Sequence, residues 1–195
     1  MTQRSDFATI AQWIPPKARV LDLGCGDGTL LKFLKEERAI KGYGVEILDA
    51  NILACINNRV EVLQLDLEAG LSGFESHSFD YVILSQTLQA VRNTERIVSE
   101  MLRVGKAGIV TFPNFGYWHH RWQIFWGHMP VSRSLPYQWY NTPNIHLCTI
   151  KDFERFCEEH DIRITDRVIM RNGAPVNVLP NLLGSLAVYR FQQKA

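Results

Sequence analysis

Short apolar runs alternate with amphipathic segments along most of the chain. "ARVLDLG" (Ala18 to Gly24) is an apolar run of strand length, and it predicts a buried strand. From Thr29 the spacing changes to that of a helix, with Leu30, Leu31, Phe33 and Leu34 supplying one apolar face. The same alternation continues with a strand at Gly42 to Ile47, a helix at Asp49 to Asn57, and strands at Val60 to Asp66 and Phe79 to Ser85. Asn93 is placed to cap a helix running to about Arg103, with Ile97, Val98, Met101 and Leu102 on one side and Gly105 after its end. A strand at Lys106 to Phe112 follows. Thr149, with Asp152 three residues on, marks the start of a helix at Ile150 to His160 that buries Phe153, Phe156 and Cys157. "IRITDRVIM" and "LAVYRF" read as two last strands. Strands that alternate with helices in this way predict an α/β fold, an open sheet with helices on both faces.

Composition narrows the class without naming a function. At 195 residues, a single domain over 1–195 is expected, with an aromatic-rich insertion at about 113–149. The balance of 46% hydrophobic and 21% charged residues is that of an ordinary globular protein. A net charge of +1 with no basic block speaks against a nucleic-acid partner. "MTQRSDFATIAQWIPP" lacks the apolar core of a secretory signal, and no run of 18 apolar residues exists, so a cytoplasmic protein with no membrane partner is expected. Cys25, Cys55, Cys148 and Cys157 form no CxxC pair, which predicts reduced thiols and no metal site.

The chemistry gathers where the first strand ends, in "LDLGCGDGT". Gly24, Gly26 and Gly28 allow a sharp turn and close approach to a ligand, at the strand ends where open α/β sheets place their crevice. The spacing is G-x-G-x-G, not the dinucleotide G-x-G-x-x-G. Asp22 precedes the loop. Its carboxylate would repel a pyrophosphate but suits ammonium and sulfonium charges, which favours S-adenosylmethionine over NAD. Glu46, at the end of the second strand, is placed to accept from both ribose hydroxyls. Asp66 ends the third strand, where it can meet an adenine amino group, and Ser85 ends the fourth beside the crevice. Any one of these acids alone would more often cap a helix or bind loop amides. Three acids and three glycines in order at strand ends favour a cofactor.

"VLDLGCGDG", "GYGVEI", "FDYVILSQTLQ", "TFPNFGYW" and "LPYQWYNTPNIHLCT" resemble the methionine-biosynthesis MetW family, a branch of the Rossmann-like class I S-adenosylmethionine methyltransferase fold. The last three are the specific ones, and the similarity runs from about Asp6 to Met170. The resemblance implies a mostly parallel seven-stranded sheet and S-adenosylmethionine (or S-adenosylhomocysteine) as ligand. It places Asp22 and Gly24 to Gly28, Cys25 included, at the methionine end, Glu46 at the ribose, Asp66 and Leu67 at the adenine, and Ser85 at the mouth. It also implies a role in methionine biosynthesis beside a homoserine O-acyltransferase of MetX type. Taken as a residue, Cys25 reads more simply as a small filler under the loop.

Two functions stay open: an accessory subunit of that acyltransferase, or a free-standing methyltransferase acting on a small molecule. Methyl transfer to a hydroxyl or amine needs a base near neutrality. His119, His120, His128 and His146 are candidates, with Tyr117 and Tyr140 as orienting groups, and His146 and Tyr140 stand nearest the crevice segment, but no pattern assigns any of them a role. "PNFG" (Pro113 to Gly116) lacks the N/D-P-P-Y/F signature of amino-group methyltransferases, and "SQTL" stands after the fourth strand instead. His119 and His120, adjacent in a helix, point about 100° apart and read as a solvated pair. From Phe112 to Tyr140 the chain holds ten of its 21 aromatic residues. Trp118, Trp122 and Trp126 recur at i, i+4 and i+8, on one helix face. With Arg121 and Trp139 they are expected to form a partner surface or a lid as well as core, because tryptophan, tyrosine and arginine anchor interfaces.

Overall fold

The computed structural model of the chain describes residues 4–194. Its strands are β1 (Arg19–Leu23), β2 (Lys41–Glu46), β3 (Glu61–Gln64), β4 (Phe79–Ser85), β5 (Gly105–Pro113), β6 (Ile162–Arg171), β7 (Ala174–Pro175) and β8 (Leu186–Gln193). They form one sheet in the order β3-β2-β1-β4-β5-β8-β6-β7. β1 to β5 pair in parallel, and β8 enters antiparallel between β5 and β6. The strand beyond the expected seven is β7, two residues long, which turns back on β6 through Asn172-Gly173. Both turn residues have positive φ, 51° and 83°, as an Asn-Gly hairpin of type I′ requires.

The helices are α1 (Ser5–Trp13), α2 (Thr29–Arg38), α3 (Asp49–Asn57), α4 (Thr94–Val104), α5 (Trp118–Phe125), α6 (Ile150–Glu159) and α7 (Pro180–Leu183). α1 lies outside the predicted elements, although Phe7, Ile10, Ala11 and Ile14 are spaced for one face and are buried. The period of two along the central strands divides the core. Leu21, Val82 and Val110 face α4 and α6, packing with Val98, Met101, Phe153 and Cys157. Val20, Ile83 and Ile109 face the other way, with Phe7, Ile10, Leu31 and Leu34 of α1 and α2. Phe156 is only partly buried and stacks on His160, ring centroids 4.2 Å apart.

The expected caps form. Asn93 accepts from the Arg96 amide at 2.9 Å, and Thr149 accepts from that of Asp152 at 3.3 Å. Gly105 differs from expectation: it opens β5 in extended conformation, with no left-handed turn after α4. A Cβ there would lie 2.7 Å from Val82 Cγ2, so glycine serves the close packing of α4 and β5 against β4.

Candidate functional site

β2 and β3 lie on one side of β1, and β4 and β5 on the other, so the chain changes direction at β1 and opens a crevice beyond the strand ends. Gly24, at the end of β1, has φ of 67°, and a Cβ on it would sit 2.7 Å from Thr87 Cγ2. Gly26 also has positive φ, but a Cβ would meet nothing within 4 Å. The loop is therefore packed beneath Gly24 and open above Gly26. Gly28, likewise left-handed, is the N-cap of α2.

Asp22 lies at the bottom of this crevice, 1% exposed, and its Oδ1 has no hydrogen-bond partner. Burial pushes its carboxyl up to about 7; the Arg4 guanidinium pulls the other way and Glu46 adds to the rise. A buried, unpartnered carboxylate oxygen is costly unless a cation or donor joins it. The ammonium of S-adenosylmethionine fits that requirement.

Glu46 is largely used by the protein. Its Oε2 accepts from the Gly26 amide at 2.9 Å, and Oε1 from the amides of Ile47 and Leu48 at 2.8 and 3.0 Å. Three of about four acceptor positions on the carboxylate are thus filled, leaving one free where the sequence reading needed two. Glu46→Ala is accordingly expected to weaken S-adenosylmethionine binding at least tenfold and to lower the melting temperature as well, because three amides lose their acceptor. Calorimetry and a thermal melt measure both. Full affinity in a folded variant would remove Glu46 from the site.

Asp66 is exposed and caps a single turn at Leu67–Ala69, accepting from the Glu68 amide at 2.9 Å; Leu67 beside it is half-buried. Ser85 Oγ accepts from Arg4 Nη2 at 2.8 Å and lies 3.2 Å from Thr111 Oγ1. Cys25 behaves as the filler: its Sγ is buried 3.7 Å from that of Cys55, both thiols free, and burial raises the thiol well above its ordinary range. Arg4 and Asp6, absent from the sequence-based set, join the site through α1.

The catalytic candidates His146 and Tyr140 have different surroundings. His146 Nε2 donates to the Arg92 carbonyl at 3.2 Å, a structural bond. Tyr140 is exposed, edge-on to Trp139 at 5.7 Å between ring centroids. Among the described residues, no group of three or more His, Cys, Asp or Glu is placed to hold a metal.

The reading of the adjacent histidines is overturned. His119 and His120 are not a solvated pair, because His120 is fully buried. Its Nδ1 lies 3.2 Å from the Asn114 carbonyl and its Nε2 2.8 Å from Ser132 Oγ; burial holds the ring neutral, below its ordinary pKa. Gln123, one turn on, exchanges two hydrogen bonds with the backbone of Val131 at 3.1 and 2.8 Å. Arg121 is exposed and donates from Nε to the Gly116 carbonyl at 2.6 Å. α5 thus binds the protein through polar side chains and turns its aromatics outward: Trp122 is 55% exposed, Phe125 74% and Trp126 62%, with centroids 5.6–5.8 Å apart. Trp118 and Trp139 are exposed too.

Comparison with known proteins agrees with this geometry. The profile of the family described as "Methionine biosynthesis protein MetW" matches residues 4–191. The chain belongs to the MetW family. A relative from Rhodopirellula baltica, the bifunctional methionine biosynthesis protein MetXA/MetW, is 35% identical across 100% of this chain. The MetW-family chain spans 33% of that relative's length. Solved structures share the fold at low identity. A SAM-dependent methyltransferase from Thermotoga maritima has a TM-score of 0.69 at 19% identity, covering 97% of this chain and 88% of its own. Another, from Archaeoglobus fulgidus, has a TM-score of 0.66 at 17% identity, covering 96% and 93%. This MetW-family chain thus has the Rossmann-like class I methyltransferase fold. No helix in the described residues is long and apolar enough to cross a membrane.

Proposed function

We propose that the chain binds S-adenosylmethionine or S-adenosylhomocysteine at the strand-end crevice and acts as an accessory subunit of a MetX-type homoserine O-acyltransferase, docking through α5. The observation that carries the docking is the inverted helix. A helix that faces its own protein with His120 and Gln123, and faces solvent with Trp122, Phe125 and Trp126, reverses the usual amphipathic order. Contiguous exposed aromatics of this kind mark interaction sites. The relative whose name joins MetXA and MetW in one bifunctional chain supports the choice of partner.

When bound, S-adenosylmethionine supplies an electrophilic methyl group on a sulfonium. The chain's own residues would hold its ends: Asp22 the ammonium, Glu46 a ribose hydroxyl, and Asp66 with Leu67 the adenine edge. Free-standing methyl transfer to a hydroxyl or amine needs a base facing the sulfonium. His146 is engaged with the Arg92 carbonyl, Tyr140 faces solvent and His120 is buried between two partners, so no observation favours that reading.

Acyltransferase activity measured with and without this protein, each with and without S-adenosylmethionine, tests the reading directly. Stimulation by the protein is expected; activity indifferent to it in every arm would end the accessory role. Trp122→Ala is expected to weaken partner binding by about 2 kcal/mol or more, as hot spots do, with an unchanged melting temperature. A large loss of stability with partner affinity intact would return Trp122 to a structural role.

A further inference from the structure

Arg4 is an exposed-side-chain residue held as firmly as a buried one. Its Nε and Nη2 fork onto Asp6 at 3.2 and 2.6 Å, and Asp6 is itself 1% exposed. Nη2 also donates to Ser85 Oγ at 2.8 Å, and the guanidinium carbon lies 4.9 Å from the Phe7 ring centroid. Ser85 stands two residues beyond Ile83, the register partner of Asp22, so the guanidinium is carried to the mouth above Asp22. Its positive charge acts against the effect of burial on the Asp22 carboxyl. Among the described residues, Nη1 makes no hydrogen bond.

Most amides of the glycine loop are already engaged. The Gly24 and Cys25 amides donate to the Val45 carbonyl at 2.8 and 3.1 Å, and that of Gly28 to Cys25 at 3.0 Å. The Gly26 amide serves Glu46, and the Thr29 amide at the start of α2 serves Asp27 Oδ1 at 3.0 Å. A ligand whose ammonium sits on Asp22 carries a carboxylate a few bonds away. That carboxylate would enter a crevice already lined by Asp22 and Glu46, with these loop donors spent. A planar, fixed guanidinium with free N–H groups is the matching recognition element.

We propose that Arg4 binds the α-carboxylate of the ligand while Asp22 binds its α-ammonium, so that the segment leading into α1 selects ligands with an amino-acid end. This rests on the proposed S-adenosylmethionine site. Arg4 reads the part of the ligand that distinguishes S-adenosylhomocysteine from 5′-methylthioadenosine, which has the same adenosine thioether and no amino acid. Asp6 and Phe7 position Arg4 and do not touch the ligand.

Calorimetry with three ligands tests the assignment: S-adenosylhomocysteine, its decarboxylated form, and 5′-methylthioadenosine. The unaltered protein is expected to bind S-adenosylhomocysteine 10- to 100-fold more tightly than the decarboxylated form. In Arg4→Ala that ratio should fall to near one, while affinity for 5′-methylthioadenosine changes less than threefold. Arg4→Gln, which can still hydrogen-bond to Asp6 and Ser85, should show the same loss of discrimination and guards against a folding defect in the alanine variant. Discrimination by the unaltered protein that persists in both variants would overturn the role of Arg4 and leave the cofactor site standing. Equal binding of the two homocysteine ligands by the unaltered protein would do the same. If the unaltered protein binds none of the three, the cofactor reading falls and the assignment with it.

Discussion

Asp22→Asn is expected to abolish useful cofactor affinity and at the same time make the ligand-free chain more stable. The carboxylate is buried beside an open loop, with Oδ1 unpartnered. A charge-assisted bond to an ammonium is worth about 1.5–3 kcal/mol, and more where water is excluded, so the loss should be about 100-fold or more. The sign of the stability effect follows from the carboxyl's rise from 3.8 to about 7 in the folded chain. A raised carboxyl pKa means that folding penalises the charged form. The penalty is absent below pH 4, grows as pH rises, and is complete above pH 7. Each tenfold change in proton affinity is worth about 1.4 kcal/mol. Allowing for the amide left in the pocket, the asparagine variant should gain about 1–3 kcal/mol at pH 8 and lose that part of the pH dependence. The unaltered protein should in turn bind S-adenosylmethionine about tenfold more weakly at pH 6 than at pH 8, because Asp22 must shed its proton first. Melting curves at pH 5 and pH 8, with calorimetry at the same values, check both halves. An asparagine variant with full affinity would show that Asp22 is not a ligand-binding group.

Asn114→Ala should be the most damaging change outside the hydrophobic core. Asn114 is fully buried at the end of β5. Its Nδ2 donates to the carbonyls of Asn181 and Gly184 at 3.0 and 2.8 Å, and its Oδ1 accepts from the amides of Gly116 and Ile150 at 3.0 and 3.3 Å. One side chain therefore joins β5, the entry to α5, the first residue of α6 and the turn at α7. Truncation leaves four backbone groups short of a partner, at roughly 1–3 kcal/mol each before relaxation, so a loss of about 4 kcal/mol or more is expected. For a chain of this size that is roughly 8–16 °C in melting temperature. Proteolysis should also begin between residues 117 and 148, where the anchor is lost. A variant melting within 2 °C of the unaltered protein would show that water replaces these bonds freely.

The placement of the candidate site's residues was largely legible because buried strands have a readable end. The run through Leu21 and Leu23 fixes where β1 stops, and so places Asp22 and the glycines; the same holds for Glu46 and Ser85. What those groups bond to was not legible. Glu46 turns to three amides, and nothing in the local pattern shows that Arg4 reaches Ser85, 81 residues on. α1 was readable from Phe7, Ile10, Ala11 and Ile14, and β7 from Asn172-Gly173, but both are short and flank no long apolar run. α5 is the instructive case. The i, i+4, i+8 spacing of its tryptophans correctly gives one face, yet spacing cannot say which face turns inward. That was decided by His120 and Gln123, whose partners at Ser132 and Val131 lie beyond the helix.

The distribution of indole rings gives the chain an internal optical reporter. Trp13 is half-buried, whereas Trp118, Trp122, Trp126 and Trp139 all face solvent. Indole emission shifts to longer wavelength in polar surroundings, so the free chain should fluoresce like a largely water-exposed tryptophan population even when fully folded. Covering α5 would move that emission to the blue. Contact at this surface can therefore be followed without a label.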